Sequence, residues 1–271
     1  MLDFLANLVN WTHVAFAYGF LSIRYLAIAG IAALVFYVWR REQRIETKIQ
    51  ARWPRAADYR REIGYSFLTF AFFVATGQFV LNGPLGEHHL LYGDVAEYGW
   101  TWFFVSIPVV LVLHDAWFYW MHRLIHHRAL YKRAHLVHHK SINPTPWASF
   151  AFHPIEAVLE AGGILFQVFL IPLHPGVLAI AMLFMTVYNV YGHLGWELYP
   201  KGFARGPIGR FVNTSVAHNQ HHAKAKNNYG LYFLWWDRFM GTLDEGYEDA
   251  FEAVAERRAE ARLDASLPAT G

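Results

Sequence analysis

Long apolar runs, separated by short charged or turn-forming segments, dominate the chain. The first covers residues 14–39 and is interrupted by Arg24. At about 1.5 Å of rise per residue it is long enough for a helix to cross roughly 30 Å of hydrocarbon. An arginine at that depth must snorkel, find a partner or mark a tilted entry. No basic segment precedes the run and no small-residue cleavage site follows it, so a retained anchor is expected rather than a cleaved signal peptide. Further apolar runs cover 64–81, 98–121, 157–172 and 176–192. The last two meet at Leu173, His174 and Pro175, a sequence that predicts a tight helical hairpin.

The polar segments between these runs set an orientation. Residues 40–62 carry Arg40, Arg41, Arg44, Lys48, Arg52, Arg55, Arg60 and Arg61 among four acidic residues, whereas 82–97 carries Glu87, Asp94 and Glu97 with no Lys or Arg. The positive-inside rule then places the first segment in the cytoplasm and the second outside, predicting an all-α bundle of about five membrane-embedded helices. In this arrangement residues 1–97 are anchor helices and loops, 98–245 the chemical domain, and 246–271 a charged cytosolic tail in which acids and bases alternate with alanines. No internal repeat is visible. The terminal residues carry no ER-retention tetrapeptide, and the expected location is a bacterial inner membrane.

Composition sharpens the picture in two ways. Charged residues make up 16% of the chain and hydrophobic ones 55%, against roughly 25% charged in soluble proteins, which again favours a membrane. There is no cysteine, so disulfides, thiolate metal sites, iron–sulfur clusters and cysteine nucleophiles are excluded together. Any metal must be held by nitrogen or oxygen.

Sixteen histidines offer that nitrogen, and most lie in three clusters. In the first, Asp115, Tyr119, His122 and His126 return to one face of a helix through spacings of four, three and four. His114 and His127 fall about one residue step away from that stripe and rank below. The second cluster is His135, His138 and His139, and the third is His218, His221 and His222. Both place imidazoles at i, i+3 and i+4, neighbouring positions on a helical surface. Eight imidazoles exceed the four ligands of a structural zinc or the three of a catalytic one, and suit two ions with open positions. Ligand type alone does not name the metal, because zinc, copper, nickel and iron all accept imidazole.

At these residues the chain resembles the fatty acid hydroxylase and sterol desaturase superfamily, named for its histidine boxes. Asp115 to His126, His135 to His139 and His218 to His222 resemble the three boxes. The similarity continues through Asn228-Tyr229-Gly230, Trp236-Asp237-Arg238 and Gly241-Thr242, over about residues 100–245. The resemblance implies two iron ions and dioxygen as cosubstrate; the imidazole donors themselves would also accept zinc or nickel as substitutes. It also implies electrons from an external ferredoxin- or cytochrome b5-like donor with its reductase. A histidine pair on the returning helix of the hairpin adds to the family's cage; here the resemblance implies His193 as a ninth ligand, and Asn189, standing where some members carry the other histidine, is expected to bind through its carbonyl, to act through water or only to hydrogen-bond.

A cage of neutral imidazoles calls for carboxylates that accept the outer ring N–H. Asp115, Glu156, Glu160, Glu197 and Asp237 are candidates. Asp115 is preferred as the catalytic carboxylate because it shares the face of His122 and His126, the competing reading being a salt bridge to Arg123. His153 is expected to support local structure. The aromatic spans, with Trp102, Phe103, Phe104, Trp117 and Phe118, suit either a lipid cleft or an interfacial belt. Exposed bases around the clusters suit anionic headgroups or an acidic electron carrier, and nucleic acid is not an expected partner. The expected activity is dioxygen-dependent hydroxylation or desaturation of a lipid C–H bond. Its rival is a non-redox membrane protein that uses the cage for structural or storage metal.

Overall fold

The computed structural model describes residues 11–39, 41, 45 and 47–264, with side chains through Ala261. Arg40, Glu42, Arg44 and Glu46 of the predicted cytoplasmic loop, and residues 265–271 of the predicted tail, lie outside the described residues. Among the described residues ten α-helices carry the fold: α1 (Trp11–Ala33), α2 (Ala56–Asn82), α3 (Gly99–Ile125), α4 (Tyr131–Ala134), α5 (Leu136–His139), α6 (Pro154–Leu165), α7 (Pro175–Gly192), α8 (Ser215–Lys224), α9 (Trp235–Phe239) and α10 (Tyr247–Asp264). A π-helical turn, Leu34–Val38, prolongs α1. Among the described residues there is no strand, only two isolated bridges.

Among the described residues four helical segments are long and apolar enough to cross a membrane: Trp11–Val38, Ala56–Asn82, Gly99–Ile125 and Pro175–Gly192. The expected first limb of the hairpin behaves differently. Helix α6 has 12 residues, about 18 Å at 1.5 Å each. A 3-10 turn, Gln167–Phe169, carries the chain onward. The hairpin turn then docks against the acidic loop between α2 and α3, where Leu90 N–H donates to Val168 O at 2.7 Å and Leu173 N–H donates to Leu90 O at 3.2 Å. The chain thus reaches the end of the bundle opposite the histidines and returns along α7, starting from Pro175 at the first helical position, where its missing N–H costs nothing.

Helices α1 and α2 are part of the main core. Leu21, Tyr25 and Ala29 of α1 pack with Phe70 and Val74 of α2, and with Phe150, Phe152, Ala157 and Val190. Polar contacts fix the segment after the second histidine cluster onto these helices. Tyr25 donates to Trp147 O at 2.8 Å and Ser66 donates to the same carbonyl at 3.1 Å. The buried Glu62 of α2 accepts from Ser141 at 2.7 Å and from Thr145 at 2.5 Å. Arg24 is buried, with its guanidinium 5.7 Å from the Phe20 ring centroid.

The polar cap is built from α4, α5, α8, α9 and α10. Its own core joins Ala204, Val216, Ala217 and Leu234 to Tyr247, Phe251, Val254 and Ala255 of α10. The predicted charged tail is therefore a docked helix with an apolar stripe, and Arg258 donates to the carbonyls of Glu197 and Tyr199.

Candidate metal centre

Nine histidines converge in two groups at one end of the bundle. His122, His126, His135, His139 and His221 form one, and His138, His193, His218 and His222 the other; the nitrogens offered within each group lie within 4.8 Å of one another. Helix α3 delivers His122 and, at its C-terminal boundary, His126. His193 follows the last residue of α7, and α8 carries the third cluster, with Thr214 capping its N-terminus by accepting from Ala217 N–H.

The outer ring nitrogens have definite partners. Nδ1 of His122 lies 2.9 Å from Tyr229 O, that of His126 lies 3.0 Å from Ala225 O, and that of His221 lies 2.7 Å from Asn227 O. Nδ1 of His193 lies 2.8 Å from Asn189 O. A carbonyl only accepts, so each of these contacts assigns the proton to Nδ1 and leaves Nε2 as a lone-pair donor. His135 achieves the same through Glu156, whose Oε1 is 2.7 Å from its Nδ1.

The Nε2 atoms face one another. Separations are 3.0 Å for His122 and His135, 3.2 Å for His126 and His139, and 3.1 Å for His139 and His221. In the second group His193 lies 3.1 Å from both His218 and His222. Where both rings carry the proton on Nδ1, two acceptors are turned towards each other, an arrangement that repels unless a cation sits between them. Nδ1 of His138, His139 and His222 is buried without a hydrogen-bond partner, which a cage stabilised by a bound ion can tolerate. Burial, and then neighbouring imidazoles, hold His135, His138, His139, His218 and His222 well below the ordinary histidine pKa. Burial pushes His193 and His221 down to about 4. The donor set is neutral imidazole throughout and fits divalent transition metals.

Asp115 has another job than the one its spacing suggests. Its Oδ1 accepts from the N–H groups of Tyr232 and Phe233 at 2.8 and 3.2 Å, and its Oδ2 accepts from Trp235 Nε1 at 3.0 Å. These contacts staple residues 232–235 to α3, and neither a histidine nor Arg123 is a partner. The carboxylate that touches the cage is Glu156. Asp237 acts one step further out, accepting from the N–H groups of Tyr229 and Gly230 at 2.8 and 2.9 Å, and so fixes the carbonyl that holds His122. Glu197 caps the start of α8 by accepting from Val216 N–H.

Asn189 donates through Nδ2 to Ser149 O at 2.6 Å, and its main-chain carbonyl receives His193. Through that carbonyl Asn189 positions His193. His114 stands apart from both groups, with Nδ1 2.9 Å from Tyr232 OH. His153 caps α6, as expected of a structural residue.

A cavity of about 420 Å³ opens beside the cage between α1, α2, α3, α6 and α7. Its wall is apolar along most of its length. Phe118 and Phe152 close its inner end, with ring centroids 4.9 Å from His122 and 5.2 Å from His138.

Four membrane-length helices among the described residues describe a multi-pass membrane protein, and its buried all-histidine cage is a candidate metal site. The sequence profile described as fatty acid hydroxylase matches residues 107–242, half of the chain. The chain belongs to that family, within the fatty acid hydroxylase and sterol desaturase superfamily. Among its relatives is the Delta(7)-sterol 5(6)-desaturase ERG3B of Gibberella zeae, 34% identical over 59% of this chain and 48% of the relative. Lathosterol oxidase of Homo sapiens is 36% identical over 65% and 56%, and a probable Delta(7)-sterol 5(6)-desaturase of Neurospora crassa 33% identical over 69% and 50%. The chain spans about half the length of the curated relatives it matches. No solved structure matches it.

Proposed function

We propose that the protein is a dioxygen-dependent oxidoreductase that hydroxylates or desaturates a C–H bond of a lipid, using two iron ions held by His122, His126, His135, His139 and His221 and by His138, His193, His218 and His222. The observation that carries this reading is the contact between the two histidine groups and the floor of an apolar cavity. Relatives named as sterol desaturases and lathosterol oxidases support C–H oxidation of a lipid.

Iron bound in the cage would supply, with dioxygen and external electrons, the oxidising power needed for an unactivated C–H bond. The protein's part is placement. Glu156 and the four carbonyl acceptors orient the imidazoles, Phe118 and Phe152 keep the inner cavity dry, and α1, α2 and α7 shape an apolar space for the lipid body. In either reaction the donor supplies two electrons and the solvent two protons. One oxygen stays on the product in hydroxylation; in desaturation a second hydrogen leaves and both oxygens end in water.

Electrons are proposed to come from a separate ferredoxin- or cytochrome b5-like carrier docking on the cap, where Arg128, Lys132, Arg133 and Lys140 are exposed. The charge pattern supports a cytoplasm-facing cage. Its membrane is proposed only as a lipid bilayer, since the fungal and mammalian relatives lend no support to a bacterial inner membrane.

Membranes containing the protein, a reductase and an electron carrier should convert a supplied lipid under labelled dioxygen. Label in the product marks hydroxylation, and an unlabelled alkene marks desaturation. Bound, reducible iron with no product from any lipid class would favour the storage rival.

A further inference from the structure

Within the apolar cavity wall one ionisable group is out of character. Glu160, on α6, lines the cavity and has neither a hydrogen-bond nor an ion-pair partner, unlike Glu156 one turn earlier, which is committed to His135. Its partly exposed surface gives onto the cavity. An unsatisfied carboxyl in apolar surroundings is costly, and such groups are retained where a ligand completes them.

A second polar edge lies beside it. His114 also lines the cavity and spends Nδ1 on Tyr232. A Cβ built on Gly163 would lie 2.9 Å from Cδ2 and 3.2 Å from Nε2 of His114, so the Nε2 edge rests against α6 at Gly163. Glu160 is three residues before Gly163 and on the same helical face. Glycine at 163 is what lets the imidazole lie there.

We propose that Glu160 and the Nε2 edge of His114 form a hydrogen-bonding subsite that takes the hydroxyl group of a lipid substrate and thereby sets which carbon rests at the histidine end. The inference rests on reading the cavity as the lipid site. A hydroxyl both donates and accepts, matching a carboxyl beside an imidazole, whereas an ammonium has three protons to place and finds fewer acceptors here. Four residues along α6 place Glu160 about 6 Å from Glu156 along the helix axis. The anchored hydroxyl then lies a few carbon–carbon bonds from the carbon presented to the cage. Glu160 is a specificity-determining residue in this scheme.

The test is equilibrium binding to the purified, detergent-solubilised full chain, followed by quenching of tryptophan fluorescence. The probes are cholestanol against cholestane, octadecanol against octadecane, and octadecylamine. Each alcohol should bind about five- to tenfold more tightly than its hydrocarbon, as one net hydrogen bond provides. Glu160→Leu should erase that ratio while leaving hydrocarbon binding intact, and Glu160→Gln should retain part of it. Thermal unfolding serves as the control for folding: Glu160→Leu removes an unpartnered carboxyl and should hold or raise Tm. An alcohol preference that survives Glu160→Leu overturns the proposal, as does a preference for octadecylamine over octadecanol that depends on Glu160. Binding ratios need no turnover, so absence of oxidation would count against the proposed reaction and leave this inference standing.

Discussion

Glu156 Oε1 sits 2.7 Å from Nδ1 of His135, with both side chains buried. The carboxylate fixes the ring so that Nε2 faces the cage. Glu156→Gln should weaken metal binding by roughly 10–100-fold, the usual effect of losing such a partner, with Tm of the metal-free protein little changed. Titration with zinc, which has no redox chemistry, measures it directly. Unaltered affinity would show that Glu156 merely fills space.

Removing one histidine from each group should separate the two sites. His221→Ala belongs to the five-histidine group and His222→Ala to the four-histidine group. Each is expected to lower bound iron from about two ions per chain towards one. Elemental analysis after anaerobic loading checks it; a parent protein that holds one ion per chain at full occupancy, unaffected by either substitution, would remove the two-ion reading.

Asp115→Ala should act on stability. It strands the N–H groups of Tyr232 and Phe233 and the Trp235 indole, at roughly 2–5 kcal/mol for buried donors left unpaired. Protein that remains folded should still bind metal with near-native affinity. A selective loss of metal with unchanged Tm would return Asp115 to the cage.

Acid should destabilise the metal-free protein within a defined window. His193 and His221 titrate near 4 in the fold against an ordinary value of 6.5, so between these values the unfolded chain binds more protons. Their contribution is complete above about 6.5 and is lost as pH falls through about 4. Thermal unfolding at pH 7.5, 6 and 5 should give a falling Tm; a flat series would show that these rings are already charged or exposed.

Gly163→Ala should overpack the contact between α3 and α6. The added methyl would lie 2.8 Å from Trp117 Cδ1 and 2.9 Å from His114 Cδ2, and a cost of about 1–3 kcal/mol is expected from forced rearrangement. A Tm equal to that of the parent would mean the helices separate freely.

What the sequence disclosed was local periodicity. Helix length, the hairpin turn at His174 and the histidine positions all follow from spacing along a single segment. The role of Asp115 depends on donors 117 and more residues away, which no spacing rule reaches. Glu156 was visible as a carboxylate, but its pairing with His135 arises from how α6 packs beside the second cluster. Helix α6 was expected to be longer; its apolar run ends in a 3-10 turn because the chain there is tied to Leu90 and Tyr92. The division of the nine histidines was also hidden, although a helical wheel contains it: i and i+4 differ by about 40° whereas i+3 falls about 60° to the other side. His135 and His139 accordingly join one group and His138 the other, while His218 and His222 part from His221.

That alternation makes the two clusters behave like the interlaced fingers of two hands. No finger can be withdrawn from one grip without loosening the other. An ion captured by either group draws taut the same short stretches, 135–139 and 218–222, on which its neighbour depends. Metal uptake should therefore be cooperative: under scarcity half-filled molecules should be fewer than two independent sites would give, and a variant left with one intact group should hold its single ion less tightly than the parent does.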